Sequence, residues 1–293
     1  MAIEVGKLGG AAVIHRYNSI EMQARLIQLS RDISKSSHKL SINVGAAVGV
    51  SGDYIKRAKA CVDAGATFIC VDVAHGHHAM MKEALSELSK TFGNSFHIMA
   101  GNVATLQGIN DLSDWGADSV RCNIGGGSIC STRIQTGHGL PGLQTIFDCA
   151  ETDRDVTIIA DGGIRNSGDM VKALAAGADV VMCGSLLSGT DESPGKVFEE
   201  ADGSRWKSYR GMASKEAQVN WRGKYSSFEG VSTKVPYRGS VRGIIEDLER
   251  GIRSGLSYSG ARSISELQSK AEFVMQTSAG LGESRTHIMG RQW

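Results

Sequence analysis

One stretch of the chain combines the residue types that nucleophilic and anion-binding chemistry needs. It reads Gly125-Gly126-Gly127-Ser128-Ile129-Cys130-Ser131-Thr132-Arg133. Glycines let backbone amides approach an anion closely, Ser128 adds a hydroxyl, and Cys130 lies where flanking cations and loop dipoles favour its thiolate. The stretch predicts a nucleophilic cysteine beside a phosphate cradle, with a tight turn around a buried thiol as the alternative.

Two further glycine turns point to a phosphorylated ligand. Asp161-Gly162-Gly163 and Gly184-Ser185 each end an apolar run. In (β/α) barrels the last two such loops commonly form a phosphate site. Asp161 is placed to accept hydrogen bonds from a sugar diol, although an Asp before a Gly is also an ordinary turn former.

Other ionisable residues give weaker signals. His75, His77 and His78 crowd the end of one apolar run, but the three-ligand zinc spacings and a nearby Glu base are missing. We therefore do not predict a catalytic metal there. Glu229 is a lone carboxylate, which composition alone would assign to a solvated loop.

The elements that must position these residues are short apolar runs alternating with amphipathic, charged segments. This alternation is typical of a parallel sheet covered by helices. The seven predicted strands are Ala11–His15, Ser41–Val48, Phe68–Ala74, His97–Val103, Ser119–Ile124, Val156–Gly162 and Val180–Leu186. Polar or glycine-rich residues end these runs, as on the rim that carries the active site of a (β/α) barrel. We predict that fold over an open doubly wound sheet, because no Gly-x-Gly-x-x-Gly follows the first strand.

A short repeat closes three helical stretches just before a strand, at Gly65, Gly116 and Gly177. A glycine there is expected to take the left-handed conformation that ends a helix. Three cysteines fall in the strands that follow: Cys70, Cys122 and Cys183. At least two of these are predicted to be inert core thiols.

The last third of the chain is less regular. The segment from about 196 to 238 is polar and long for a connection, which indicates an active-site flap. Val241 to Arg253 is predicted to be a helix. The tail from about 278 to 293 is polar, and we expect it to be mobile unless a neighbouring subunit orders it. Residues 1–293 are interpreted as a single catalytic domain.

Composition excludes several classes of protein. The 293 residues include 32 Lys and Arg against 31 Asp and Glu, a net charge of +1. Without a broad electrostatic field, neither nucleic acid nor a membrane surface is a predicted partner. No apolar stretch reaches the roughly 18 residues of a membrane span. Six scattered cysteines with no CxxC pair, and no signal-peptide pattern, predict a reduced, cytoplasmic protein.

Taken together, the motifs resemble those of the IMP dehydrogenase and GMP reductase family, from about Ala2 to His287. The matching segments are Val13-Ile14-His15, Asp72-Val73-Ala74-His75-Gly76-His77, Ala100-Gly101-Asn102-Val103, Ser128-Ile129-Cys130-Ser131-Thr132-Arg133, Ala160-Asp161-Gly162-Gly163-Ile164-Arg165, Tyr209-Arg210-Gly211-Met212 and Glu229-Gly230. The resemblance implies an eight-stranded (β/α) barrel, or TIM barrel. It also implies that Cys130 attacks C2 of a purine nucleotide, GMP or IMP, in a covalent adduct that exchanges hydride with NADPH or NAD.

The same resemblance assigns the remaining site residues. Cys130, Thr132 and Glu229 would be catalytic. Substrate positions would be Ser128, Gly163, Gly184, Ser185 and Tyr209 for the phosphate, Asp161 for the ribose, and Met212 with its neighbours for the base, together with Gly162, Gly211, Ala213 and Gly230. Cofactor positions would be Asp72, Ala74, Asn102 and Arg133. Carbonyls of Gly125, Gly127 and Cys130 would hold K+ or another monovalent cation.

The direction of reaction depends on the flap. Dehydrogenases carry a longer insertion with an Arg-Tyr pair that activates water, whereas only 16 residues separate Met212 from Glu229 here and they contain no Arg-Tyr. Thr136-Gly137-His138-Gly139 also resembles reductases, in which Thr132 and Glu229 would relay a proton to departing ammonia. The segment from Ala160 to Gly195 is closer to dehydrogenases, and Ser226 replaces an arginine of many reductases. We favour the NADPH-dependent reductase over the NAD-dependent dehydrogenase.

The chain begins in what resembles the first barrel helix, so the family's first strand is missing. Seven strands cannot close an eight-stranded barrel. We therefore expect a separate fragment of about 50 residues to complement the chain, given the usual size of such barrels, or else the start to be misassigned. The resemblance implies a homotetramer. A catalytically impaired nucleotide-binding subunit is the alternative from another class.

Overall fold

A sheet of seven parallel strands forms the centre of the computed structural model, which describes residues 1–93, 96–224 and 229–284. The strands are β1 (Ala11–Ile14), β2 (Asn43–Val48), β3 (Phe68–Asp72), β4 (His97–Val103), β5 (Ser119–Cys122), β6 (Thr157–Asp161) and β7 (Val180–Met182). They pair in sequential order, and at least one helix joins each strand to the next. This is the α/β architecture of a (β/α) barrel that lacks one strand, as predicted.

Helices alternate with the strands, and several of them pack against this sheet. They are α1 (Ala2–Lys7), α2 (Ile20–His38), α3 (Tyr54–Asp63), α4 (Ala79–Phe92), α5 (Leu106–Asp114), α6 (Thr132–Thr136), α7 (Gly142–Ala150), α8 (Ser167–Ala175), α9 (Lys215–Arg222), α10 (Val241–Tyr258), α11 (Ile264–Lys270) and α12 (Ser278–Glu283). Within the described ranges, no helix is both long enough and apolar enough to cross a membrane.

Glycines end three of the helices, as the repeat predicted. Gly65, Gly116 and Gly177 have φ values of +96°, +110° and +115°, a region that side chains with a β-carbon avoid. The strands that follow enter the core. Cys70 and Cys122 are 2% and 0% exposed, which confirms that at least two of the strand cysteines are core thiols.

The sheet has an open seam between its first and last strands. In the described part of the chain, β1 pairs only with β2, and β7 only with β6. The helical layer nevertheless continues across the seam, because α1 contacts α10 and the Glu4 carboxylate lies 4.0 Å from the Arg242 guanidinium. Val180 at the β7 edge is 47% exposed. The seam is therefore a gap in the strand layer alone.

The predicted flap contains a second, small sheet. Strands β8 (Val197–Glu199), β9 (Arg205–Arg210) and β10 (Ser232–Pro236) pair antiparallel, and α9 lies between the last two in sequence. Most side chains of β8 and β10 are exposed to solvent. The segment therefore has the irregular, polar sequence from which no strand was predicted.

Several predicted strand ends differ from the observed ones by one or two residues, and two predicted boundaries were wrong by four or more. The strand expected to reach Leu186 ends at Met182, because the chain turns at Gly184 into a short 3₁₀ helix, Ser185–Leu187. The helix predicted to end at Arg253 continues to Tyr258. Gly251 and Gly255 lie inside it where a β-carbon would come within 2.1 Å and 2.6 Å of side-chain atoms of α8. They are packing glycines that let two helices approach, not a helix end.

Candidate active site

The loop that carries Cys130 leaves the C-terminal end of β5 and is fixed by Arg133. The Arg133 guanidinium donates hydrogen bonds to the Ile124 carbonyl (3.0 Å), to Asn123 Oδ1 (3.1 Å) and to the Leu140 carbonyl. A β-carbon on Gly125, whose φ is +74°, would lie 2.6 Å from Arg133 Cγ. Glycine at this position therefore lets the arginine reach under the loop and bind its carbonyls.

Cys130, Thr132 and Glu229 form one hydrogen-bonded chain. Cys130 Sγ lies 3.1 Å from Thr132 Oγ1, and Thr132 Oγ1 donates to Glu229 Oε2 at 2.7 Å. Glu229 comes from the flap, 97 residues further along the sequence than Thr132. The structure thus connects a thiol, a buried hydroxyl and a carboxylate, an arrangement suited to moving a proton near a nucleophile.

Backbone hydrogen bonds join the cysteine loop to the flap. The Ser131 amide donates to the Glu229 carbonyl at 2.9 Å, and the Val231 amide donates to the Ile129 carbonyl at 3.0 Å. These bonds pair Cys130 with Gly230 in a short antiparallel bridge. The three side chains therefore depend on the flap lying against the loop.

One cavity, of about 240 Å³, opens on Cys130 and is called the nucleotide cavity below. It brings together every residue predicted to bind substrate: Ser128, Asp161, Gly162, Gly163, Gly184, Ser185, Tyr209, Gly211, Met212, Ala213 and Gly230. Burial raises the pKa of the Tyr209 hydroxyl, and a hydrogen bond with Ser128 partly offsets this rise. The two glycine turns and the cysteine loop thus face one space.

A second cavity, of about 560 Å³, lies on the other side of Cys130 and is called the cofactor-side cavity. Asp72, Ala74 and Asn102, three of the four predicted cofactor residues, line it. Arg133, the fourth predicted cofactor residue, lies outside this lining with its guanidinium bound to the loop. The two cavities share a few residues: Gly127, Cys130, Asp161, Gly162, Met212, Ala213 and Glu229.

A buried arginine, which the sequence analysis did not identify, binds carboxylates that line the two cavities. Arg121, on β5, is 6% exposed. Its guanidinium donates to Asp72 Oδ1 at 2.6 Å and to Asp161 Oδ2 at 3.2 Å, while Asn102 Nδ2 donates to the same Asp161 oxygen at 2.9 Å. A charged residue inside a predicted buried strand is the signal that could have identified it.

This arginine determines the charge state of the cofactor-side carboxylate. Burial alone would raise the pKa of the Asp72 carboxyl, but attraction to Arg121 and their hydrogen bond lower it below its usual value, with a smaller contribution from Arg16. Asp72 therefore presents a stable negative charge to the cofactor-side cavity.

An aromatic stack, which the sequence analysis did not predict, lies beside the cofactor-side cavity, whose lining includes Tyr17. Tyr17, after β1, and Trp221, in α9, stack with ring centroids 4.3 Å apart and planes 8° apart. The Arg16 guanidinium lies 5.4 Å and 5.9 Å from these two centroids. This stack ties the flap helix to the barrel rim.

The histidine group has ordinary structural roles where it is described. His77 Nε2 lies 2.6 Å from Asp111 Oδ2, and His78 Nδ1 accepts the Met81 amide at the start of α4. No group of three or more potential metal ligands occurs in residues 1–93, 96–224 and 229–284. In the predicted cation turn, the Cys130 amide donates to the Gly127 carbonyl at 3.0 Å. Ser226 and its neighbours from Tyr225 to Phe228 lie outside the described residues.

The fold and site together define an incomplete (β/α) barrel with a cysteine between two cavities at the C-terminal ends of its strands. The chain matches the family model described as "IMP dehydrogenase / GMP reductase domain" over residues 1–287. It therefore belongs to the IMP dehydrogenase and GMP reductase family, whose members are oxidoreductases that use NAD(P).

Curated relatives of both kinds are similar to this chain. An inosine-5'-monophosphate dehydrogenase of Nitrosopumilus maritimus is 46% identical over 258 residues, covering 83% of this chain and 54% of that protein. An inosine-5'-monophosphate dehydrogenase of Aquifex aeolicus is 45% identical over 257 residues, covering 84% of this chain and 52% of that protein. A GMP reductase of Leishmania donovani is 43% identical over 261 residues, covering 85% and 53%. The chain thus spans about half the length of the curated relatives it matches.

Proposed function

We propose that this chain forms the active site of a GMP reductase, which converts GMP to IMP and ammonia with NADPH. The hydrogen-bonded chain of Cys130, Thr132 and Glu229, at the junction of two cavities, is the observation that carries the proposal. A reductase needs one nucleophile that meets a nucleotide on one side and a hydride donor on the other, and a nearby group that protonates the leaving amine.

Cys130 acts first on the nucleotide. Its sulfur reacts as the thiolate and forms a bond to C2 of the purine, and the bond from C2 to the exocyclic amine breaks. The proton that the leaving ammonia takes up comes through the Thr132 hydroxyl from Glu229, which is hydrogen-bonded to it at 2.7 Å. Bound NADPH would supply hydride to C2 and be oxidised to NADP⁺, and Cys130 would be the leaving group, released as the thiolate. Positioned acid catalysis of this kind contributes about a hundredfold to ten-thousandfold in rate.

Different polar groups of the nucleotide cavity would bind the phosphate, the ribose and the base. Ser128, Ser185 and Tyr209 offer hydroxyls, and the glycine turns at 163 and 184 offer backbone amides, for the phosphate. Asp161 offers a carboxylate to the ribose hydroxyls, and Met212 lies against the base. Arg121 and Asn102 hold the Asp161 carboxylate in place.

The cofactor-side cavity fits a nicotinamide nucleotide. Its volume of about 560 Å³ is within the range of small-molecule sites. The Asp72 carboxylate and the Asn102 amide would hold hydroxyl and carboxamide groups there. The carbonyls of Gly125, Gly127 and Cys130 would hold a monovalent cation, with Gly127 using the lone pair that the Cys130 amide leaves free.

The proposal also includes the assembly of the protein. The chain would form a homotetramer, and a separate fragment would complete the strand layer at the open seam.

IMP dehydrogenase is the second candidate function. The relatives at 46% and 45% identity that carry this name favour it. The short connection between Met212 and Glu229, with no Arg-Tyr pair, favours the reductase. Both candidate reactions would use Cys130 and both cavities, so the two candidates differ in the sequence of the flap.

The decisive experiment mixes the purified protein with GMP and NADPH, or with IMP and NAD, and follows nicotinamide absorbance and ammonia. Oxidation of NADPH with GMP, one ammonia released for each NADPH, is the expected result. NAD reduction that requires IMP, with no reaction of GMP, would assign the dehydrogenase instead. Cys130→Ser should abolish turnover, and nucleotide binding with no redox change in the unaltered protein would indicate the impaired subunit.

A further inference from the structure

A third cavity, which we call the distal cavity, adjoins the phosphate end of the nucleotide cavity. Its volume is about 310 Å³. The two cavities share four lining residues: Ser128, Ile129, Ser185 and Tyr209. Three of them carry the hydroxyls that we assign to the nucleotide phosphate. A phosphate bound to these hydroxyls would therefore lie at the boundary between the two cavities.

The flap sheet and the loop after β7 meet at the distal cavity. Tyr209 of β9 is paired with Thr233 of β10, and both residues line the cavity together with Val235. Alternate residues of a strand lie on one face, so Lys234 lies on the other face of β10. The loop after β7 contributes Leu186 to the lining, along with two serines. The cavity is therefore built from elements that also hold the nucleotide cavity.

The charged residues that line the distal cavity are both arginines. Arg165 follows β6 and Arg238 follows β10, and no Asp or Glu of the described residues belongs to the lining. Arg165 binds Asp169 through Nε at 3.0 Å, which is not one of its two terminal nitrogens. Arg238 donates to the Leu186 carbonyl at 3.2 Å. Ion pairs between described residues do not include Arg238.

A buried lysine on the same face of the flap sheet adds positive charge. Lys207 is paired with Val235 and lies two residues before Tyr209, so it shares their face. It is 3% exposed, and its ammonium donates to the Thr190 and Ser193 carbonyls at 2.8 Å and 2.7 Å. Neutral carbonyls leave its charge in place. A buried cation that is held only by dipoles favours an anion nearby.

We propose that the distal cavity binds a second phosphate group, so that the site takes a guanine nucleoside 5'-diphosphate, GDP. The inference rests on the proposed function in one respect, the placing of the base and the first phosphate in the nucleotide cavity. The second phosphate would then lie between Arg165 and Arg238. Guanidinium groups bind phosphate oxygens through charge-assisted hydrogen bonds. Because GDP and GMP would both occupy the nucleotide cavity, they would compete.

Calorimetric titration of the full chain with GMP and with GDP tests the inference. GDP should bind at least about tenfold more tightly than GMP, because the second phosphate adds charge-assisted hydrogen bonds. Arg238→Gln should remove most of this preference and change the Kd for GMP by less than about twofold. Weaker binding of GDP than of GMP to the unaltered protein, or an equal loss of affinity for both ligands in Arg238→Gln, would overturn the inference.

Lys234→Gln is the matched control variant. It removes the same charge from the opposite face of β10, where Lys234 binds Glu200, and it should keep the preference for GDP. If Lys234→Gln lost this preference as Arg238→Gln should, the effect would be one of net charge, and the distal cavity would not be the site.

Two further measurements separate the possible sources of the result. Inorganic phosphate that tightens GMP binding, with no preference for GDP, would assign the cavity to a separate anion and overturn the diphosphate. In turnover assays GDP should raise the KM for GMP and leave kcat unchanged, and a lower kcat at saturating GMP would place GDP elsewhere. A protein that binds GMP without preferring GDP refutes this inference alone, whereas a protein that does not bind GMP also refutes the proposed function.

Discussion

Replacing Arg121 by methionine tests whether the buried ion-pair network holds the site together. Methionine keeps an unbranched apolar stem in the β5 position and removes the guanidinium. The change deletes hydrogen bonds of 2.6 Å to Asp72 and 3.2 Å to Asp161. Hydrogen bonds to charged groups contribute about 1.5–3 kcal/mol each. The Asp72 side chain is 45% exposed, so water replaces part of its lost bond, and we expect a loss of about 3 kcal/mol in the free energy of unfolding.

The loss should depend on pH with a defined sign. The pKa of Asp72 is lowered in the folded protein, so its pairing with Arg121 stabilises the fold above the unfolded carboxyl pKa of about 3.9. That stabilisation disappears as pH falls through the folded value. Arg121→Met lacks it at every pH, so the difference between variant and unaltered protein should shrink below about pH 4.

Urea unfolding at neutral and acid pH measures both effects. Arg154→Met is the control, because Arg154 pairs with Asp114 and Asp153 at the surface and exposed pairs contribute less than about 1 kcal/mol. Adding Asp72→Asn to Arg121→Met should recover part of the loss by removing an unpaired carboxylate. If Arg121→Met were as stable as the control, or its loss of stability did not change with pH, the pairing of Arg121 with Asp72 and Asp161 would not stabilise the fold.

Three further outcomes are expected. Iodoacetamide should modify Cys130 and spare Cys70 in the native protein, because burial raises the pKa of the Cys70 thiol to about 12. Peptide mass spectrometry measures the labelling, and equal labelling of the two cysteines would contradict this expectation. Gly177→Ala should lower the free energy of unfolding by about 2 kcal/mol or more, because φ is +115° and the new β-carbon would lie 2.4 Å from the β-carbon of Ala150. Gly243→Ala, at a helical position with open space around it, should instead raise the free energy of unfolding by about 0.5–1 kcal/mol. Urea unfolding measures both changes. Glu229→Gln should slow turnover about a hundredfold or more without changing GMP affinity by calorimetry.

The strands and helix ends were predictable because their causes are local. Apolar runs of three to seven residues, and the glycines that follow three of the helices, mark these elements wherever they occur in the chain. The Cys130 loop was predictable for the same reason, since its glycines, serine and cysteine are adjacent in sequence. The resemblance then added Thr132 and Glu229, which the residues alone would not have joined.

What the sequence could not predict depends on contacts between distant residues. Arg121 bonds Asp72 and Asp161, which lie 49 and 40 residues away. The Tyr17 and Trp221 rings meet across almost the whole barrel sequence. The flap sheet was missed because its strands are short and exposed, so they lack the alternation of apolar and polar residues that marks a half-buried strand.

The hydrogen bonds between the cysteine loop and the flap make the chain of Cys130, Thr132 and Glu229 depend on the position of the flap. A flap that moved away would break the bond between Thr132 and Glu229 and the two backbone bonds beside Cys130. In the reductase that we propose, the proton path would then be complete only with the flap closed, so the rate of flap closure would contribute to each turnover.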